Sequence, residues 1–218
     1  MALTLYSHPF SSYCQKVLIA LWENHTPFTY RHLEDEGAGA ELAALWPIGR
    51  FPVLVDGNRT IAESSIIIEY LGLHHPGPVT LVPVDPEAAL EVRFMDRFFD
   101  HHVMTAMQGP VFEAIRGAEA TRKDEAMEKA RKALDTAYAW LEERLAGRSW
   151  AAGEAFTMAD CAAAPSLFYA DWVHRIGERF PTVRAYRARL LARPSVARAV
   201  EEGRPYRAYF PLGAPDRD

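Results

Sequence analysis

The run from Tyr6 to Val17 constrains this chain more than any other stretch. Before it lies Leu3-Thr4-Leu5-Tyr6, rich in β-formers; after it comes Val17-Leu18-Ile19-Ala20-Leu21, an apolar run long enough to continue a helix. Between them Pro9 closes a turn and Ser11 stands where a helix opens, so the segment predicts a strand-to-helix junction with Ser11 as N-cap. A helix start draws negative charge, because its unpaired N–H groups and the helix dipole point at whatever sits there.

Cys14 follows three residues later, and Ser11-x-x-Cys14 reads like a thioredoxin-type C-x-x-C whose nucleophilic cysteine has become serine. Serine forms no disulfide, but it can hydrogen-bond a sulfur carried by another molecule. A free thiol with a pKa of ~8.5 is only about 3% thiolate at pH 7, and lowering that pKa by two units takes about 2.7 kcal/mol. One hydrogen bond to a charged group contributes roughly 1.5–3 kcal/mol, and a helix N-terminus about 0.3–2. The two together suffice to hold a bound thiolate without a metal. On these residues alone, Ser11 as a plain cap stands equally open.

The remaining pattern fixes the class. Pro27 to Leu33 alternates as a second strand, Glu34 to Gly39 is an acidic loop, and Glu41 to Trp46 fits a short helix stopping before Pro47. Phe51 to Val55 and Arg59 to Ile61 flank Asp56-Gly57-Asn58, a strong hairpin signal. Ala62-Glu63-Ser64-Ser65 then opens the apolar helix Ile66 to Leu73. The order β-α-β-α-β-β-α predicts an α/β thioredoxin-like domain. Pro52 within a strand pattern implies an edge, a bulge, a strand's first residue or a cis bond. Glu63-Ser64 also fits an ordinary first helical turn.

Pro76 to Pro86, with four prolines and a glycine, reads as a linker into an all-α domain. Val92, Met95, Phe99, Val103 and Ala106 form one helical stripe, which Gly109-Pro110 should end or kink; Leu134, Ala137, Tyr138, Leu141 and Leu145 form a second. Thr157-Met158-Ala159-Asp160 is a capping-box pattern with Asp for Glu, and Phe156 with Cys161 a candidate staple, which predicts Cys161 as a buried core thiol. Helices follow from Pro181 to Ala192 and Pro194 to Glu202, and the tail with Pro205, Pro211 and Pro215 reads as irregular. The expected domains are 1–78, a linker 79–86 and 87–218.

A net charge of −5 and a pI near 5.9 argue against a partner with a phosphate backbone. Two distant cysteines make no disulfide framework, so a reducing, cytoplasmic setting is expected. The N-terminus lacks a basic and an apolar signal region and no apolar run approaches ~18 residues, so neither secretion nor membrane association is expected. His74-His75 and His101-His102 diverge on a helix, and no H-x-x-x-H occurs, so no metal site is expected.

Ser11-Ser12-Tyr13-Cys14, Arg50-Phe51-Pro52-Val53-Leu54, Ile61-Ala62-Glu63-Ser64 and Gly153 to Asp160, in this order and spacing, resemble the soluble glutathione S-transferases over residues 2–203. The Ser-Ser-x-Cys form is similar to the serine-type zeta, theta and delta classes. The resemblance implies the glutathione S-transferase fold, with Ser11 hydrogen-bonding the glutathione thiolate and the Phe51 backbone, before a cis-Pro52, pairing with the cysteinyl unit. It implies Glu63 and Ser64 for the γ-glutamyl group and Arg50 near the glycyl end, although residues 34–41 offer no lysine, histidine or glutamine for that carboxylate. Tyr6 matches the hydroxyl position of the tyrosine-type classes and ranks second, while Ser12 is a neighbouring hydroxyl. The resemblance further implies glutathione as co-substrate, a small electrophile, no metal and a two-fold homodimer. From the architecture the electrophile is expected between Pro9-Phe10 and the helices around His101–Met107 and Tyr169–Val173. Zeta-like isomerisation and a non-catalytic partner protein are the alternatives.

Overall fold

The computed structural model describes residues 3–218. The first half runs β1 (Leu3–Ser7), α1 (Ser12–Glu23), β2 (Phe28–His32), α2 (Ala38–Leu45), β3 (Val53–Asp56), β4 (Arg59–Ala62) and α3 (Ser64–His74). The strands make one sheet in the order β2-β1-β3-β4, with β1 parallel to β2 and antiparallel to β3. The β3–β4 hairpin closes at the pair Asp56–Arg59, and Gly57 supplies the positive φ of 60° that its turn requires.

The second half is helical: α4 (Pro86–Phe98), a π-helical turn (Phe99–Met104), α5 (Thr105–Ile115), α6 (Ala120–Arg144), α7 (Met158–Val173), α8 (Pro181–Leu191) and α9 (Pro194–Gly203). The fold is that of a glutathione S-transferase, a mixed four-stranded sheet domain followed by an all-helical one. Helix α7 is the centre of the second half, with every residue except Trp172 buried. Apart from Asp160, Ser166 and Asp171 its sequence is apolar, as suits a helix with almost no solvent face. The capping box forms: Asp160 Oδ2 accepts the Thr157 N–H at 2.8 Å, while Oδ1 accepts from Ala151 N at 2.8 Å and Tyr186 Oη at 2.6 Å. Phe156 and Cys161 are both buried.

Two segments differ from the sequence reading. Gly109-Pro110 does not end its helix, since α5 runs on to Ile115; the irregularity falls upstream, where the chain widens into the π-helical turn. The tail is not wholly irregular: Arg204–Tyr209 forms a 3₁₀ helix with Pro205 in its first turn, where a missing N–H costs nothing. The connecting residues 75–85 are fastened to both halves. Asn24 Oδ1 accepts the Val79 N–H at 2.8 Å, Leu81 is buried and its carbonyl accepts the Met158 N–H at 2.8 Å.

Helix α1 lies between the sheet side and the helical half, packed on α3, α7 and α9. That position explains why Ser12 and all residues from Cys14 to Leu21 are buried, Lys16 included. Its far end is fixed by Glu23, which pairs with Arg193 at 2.6 Å and accepts from Ser195. No helix among the described residues is long and apolar enough to cross a membrane.

Candidate active site

A cleft of about 680 Å³ opens between the halves, and Ser11, Arg50, Phe51, Pro52, Glu63 and Ser64 all line it. Ser12 and Tyr13 line it too. Two helix N-termini therefore meet one cavity, α1 behind Ser11 and α3 behind Ser64. Each places unpaired N–H groups and the positive end of a helix dipole at the cavity wall.

Ser11 takes the N-cap conformation, φ −83° and ψ 124°, and its Oγ accepts the Cys14 N–H at 3.4 Å. The bond is long, and it uses only an oxygen lone pair, so the hydroxyl proton remains available to a ligand. The Phe51–Pro52 bond is cis. Pro52 precedes the first residue of β3, and the β1–β3 pairing ends at Tyr6–Val53, so the Phe51 backbone lies beyond the sheet. Glu63 has φ 69°, a left-handed value uncommon for a residue with a Cβ, directly before α3.

Other residues of the first motif are turned away. Cys14 is fully buried, and burial pushes its thiol pKa up against hydrogen bonds from its neighbours. The His8 N–H donates to its sulfur at 3.4 Å. Tyr6 does not line the cleft: its hydroxyl donates to Glu41 Oε2 of α2 at 3.0 Å. Alternation along β1 directs residue 6 away from the junction. Burial, with Asp100 nearby, pushes the Tyr13 phenol to about 12, so it faces the cleft as a neutral hydroxyl.

The opposite wall comes from the helical half. Met107, Val111, Phe112 and Ile115 give it an apolar face, Arg97, Asp100, His101 and Gln108 a polar one, and Tyr169 a shared edge. Phe10, His101, Met107 and Tyr169 stand where the architecture placed the electrophile, whereas Trp172 and Val173 face elsewhere. Tyr209, Phe210 and Pro211 of the tail complete the rim, and neither they nor Asp100 carried a local sequence signal.

His8, His32 and Glu34 bring possible ligand atoms within 4.8 Å of one another, a grouping the sequence spacing did not suggest. Their hydrogen bonds indicate another use. The Phe10 N–H donates to His8 Nδ1 at 3.2 Å and the Glu34 N–H to His32 Nδ1 at 3.1 Å. A neutral ring accepting at Nδ1 carries its proton at Nε2 and has no lone pair there for a metal. The Nε2 atoms instead face Glu34 Oε1 at 3.4 Å and Tyr206 Oη at 3.2 Å, which holds the 3₁₀ helix against the sheet.

Sequence models of the glutathione S-transferase N-terminal and C-terminal domains match residues 5–79 and 124–189, together more than half of the chain. The chain belongs to the glutathione S-transferase family. A glutathione S-transferase of Silene vulgaris is 30% identical, with 89% of this chain and 95% of that one aligned. A probable maleylacetoacetate isomerase of Vibrio cholerae is 28% identical over 94% of this chain and 98% of its own. Among solved structures, FzlA from C. crescentus superposes with a TM-score of 0.78 at 25% identity over 92% of each chain. For this glutathione S-transferase family member the relatives thus include proteins named as transferase, as isomerase and as neither.

Proposed function

We propose that this protein is a serine-type glutathione transferase that conjugates glutathione to a hydrophobic electrophile. The observation that carries the reading is the convergence of two serine-headed helix N-termini on one cleft whose far wall is apolar. Ser11 is the catalytic residue: its free O–H donates to the thiolate sulfur, and the α1 N-terminus adds its field. Ser64 and the first N–H groups of α3 receive the γ-glutamyl carboxylate, with Glu63 beside its ammonium. The Phe51 backbone, next to Pro52, pairs with the cysteinyl unit. Arg50 receives the glycyl carboxylate in place of the residues absent between 34 and 41.

The sulfur then attacks an electrophilic carbon held against Met107, Val111 and Phe112. The protein's contribution is orientation and stabilisation of the anion in a partly dry cavity, without an acid or base among the reacting groups. Cys14 takes no part, since it is buried and protonated.

Isomerisation of a maleyl compound is the second reading, favoured by the near-full-length isomerase relative and by the same thiolate start. A partner-binding role without catalysis is weakened by Ser11, Pro52, Glu63 and Ser64 lining one cleft together. The reading extends to a two-fold homodimer in a reducing, cytoplasmic compartment with a detoxifying role. Phe98 and Phe99 are consumed within the chain, Phe98 stacking on Trp140 with centroids 4.3 Å apart. Phe51, Ile66, Leu90 and Phe94 remain exposed for a partner copy, and the Arg93–Glu69 pair at 2.8 Å joins α4 to α3 beside them.

Retention on immobilised glutathione, followed by a panel of electrophiles that includes a maleyl compound, tests the reading. Retention with thioether formation supports conjugation, and double-bond isomerisation without net glutathione consumption shifts the assignment. Failure to bind glutathione at millimolar concentration overturns both.

A further inference from the structure

Two carbonyls of the turn before Ser11 are held by buried side chains, Pro9 O from α1 itself and Phe10 O from α7 of the helical half. Gln15 Nε2 donates to Pro9 O at 2.8 Å and to Tyr169 Oη at 3.1 Å. The Tyr169 hydroxyl in turn donates to Phe10 O at 2.9 Å. Gln15 is 2% exposed and Tyr169 3%. We propose that Gln15 and Tyr169 form a clamp across the two halves that sets the position of the Ser11 hydroxyl, which makes both of them positioning residues for thiolate stabilisation.

The donor count leaves the clamp no slack. Both N–H groups of the Gln15 amide are spent on buried acceptors, and the single O–H of Tyr169 on the part-buried Phe10 carbonyl. Burial holds the Tyr169 phenol well above its ordinary pKa, so it donates at every working pH. Gln15 lies four residues after Ser11, and its backbone N–H donates to Ser11 O at 2.9 Å, the bond that opens the helix. The side chain therefore ties the turn to the same helical turn that Ser11 caps. Phe10 O belongs to the peptide that joins Phe10 to Ser11, so a rotation of that peptide carries the Ser11 backbone nitrogen with it. Behind the clamp the end of α9 packs without spare room: a Cβ on Gly203 would sit 3.2 Å from Gln15 Nε2 and 3.3 Å from Pro9 O. The Phe10 and Tyr169 rings meet edge to face at 5.5 Å, which steadies the same turn from the cleft side.

The inference rests on the proposed role of Ser11, and its test separates the two. Thiolate absorbance of bound glutathione is titrated in wild type, Ser11→Ala, Tyr169→Phe and Tyr138→Phe. Tyr138 is the control, a buried tyrosine whose hydroxyl donates to His174 O at 3.1 Å away from the cleft. Tyr169→Phe should raise the thiol pKa by about one unit, a tenfold loss of thiolate at fixed pH. Amide exchange at residues 11–14 should quicken about tenfold in the same variant. Tyr138→Phe should lose comparable stability with neither effect. Gly203→Ala, which pushes on the clamp from behind, should move the pKa in the same direction and decides the matter where Tyr169→Phe folds poorly. A raised pKa in Ser11→Ala with Tyr169→Phe and Gly203→Ala titrating as wild type overturns the clamp alone. A wild type in which bound glutathione titrates as free thiol overturns the role of Ser11, and the clamp's function with it.

Discussion

Lys16 and Asp100 meet at 2.8 Å across the junction of the two halves, the lysine on α1 and the aspartate in the π-helical turn after α4. Lys16 also lies 2.6 Å from Asp96 and donates to Ser65 Oγ at 2.9 Å, and Ser65 donates to Asp96 at 2.7 Å. One cation thus faces two carboxylates. Burial raises the Asp100 pKa, and Lys16 acts against that rise. Since Asp100 and Ser65 both line the cleft, the network couples its floor to the seam between the halves.

Replacing Lys16 by methionine should therefore cost far more than one ion pair at a surface. The change leaves Asp96 and Asp100 buried and facing each other, and losing one member of a buried pair typically costs about 3–5 kcal/mol. Asp100→Asn should be much milder, because Lys16 keeps Asp96. Urea unfolding of the two variants makes the comparison; equal midpoints would show that water reaches the cluster and screens it.

Gly77 should not tolerate alanine. A Cβ there would lie 2.5 Å from Asn24 Cβ and 2.6 Å from its Oδ1, the oxygen that holds Val79. Overpacking of this kind costs about 1–3 kcal/mol. Since the clash is with one short side chain that begins at its Cβ, Gly77→Ala combined with Asn24→Gly should recover part of the loss relative to the sum of the single variants. Strict additivity in a double-mutant cycle would refute the contact.

Acid should loosen the tail through His8. Burial lowers the His8 pKa, with Glu34 acting to raise it and His32 to lower it. The folded chain then binds fewer protons than the unfolded one below about pH 6.5, so stability rises with pH through that window and is lost as pH falls through it. The geometry agrees, because a proton added at Nδ1 would face the Phe10 N–H. His8 also packs on Tyr206 at 4.7 Å and Tyr209 at 6.4 Å, so the 3₁₀ helix should detach first. Stability measured between about pH 7 and 5.5 should fall in wild type and stay flatter in His8→Phe; parallel curves would remove His8 from the account.

What the sequence revealed and what it hid follow from the range of the interactions. The Ser11 cap, the Asp56-Gly57-Asn58 hairpin and the Thr157–Asp160 box are set by neighbours in the chain, and each is found where the pattern placed it. Of the residues that line the cleft, Ser11, Pro52, Glu63 and Ser64 carried local signatures at element boundaries, whereas Arg50 and Phe51 were reached only through the family resemblance. Asp100 was hidden because its partner Lys16 is 84 residues away, and a lysine in an apolar helical run looks like a surface residue. Gln15 was hidden for the same reason, its partner Tyr169 lying 154 residues on. Gly109-Pro110 does not end its helix because a proline removes only one hydrogen bond, and α5 stays packed on α6.

Ser11→Cys gives the sharpest separation of cap from catalyst. A cysteine at this position would face the free N–H groups of α1, which lowers a thiol pKa, and it would restore the C-x-x-C spacing with Cys14. Cys14 is a poor resolving thiol, being fully buried, raised in pKa and engaged by the His8 N–H. The new thiolate should therefore attack an external disulfide and remain as a mixed disulfide with glutathione, one S–S bond forming as the other breaks and glutathione thiolate leaves. Conjugation should fall at least tenfold while thiol–disulfide exchange appears, and Cys14→Ala in the same background should leave the mixed disulfide intact. Cys14→Ala alone should keep most conjugation activity, since a loss beyond about 100-fold corresponds to about 2.7 kcal/mol and would make Cys14 a participant. Mass spectrometry of Ser11→Cys after exposure to oxidised glutathione reads the outcome directly: an unmodified thiol would mean that the helix start does not activate sulfur, and that Ser11 only caps α1.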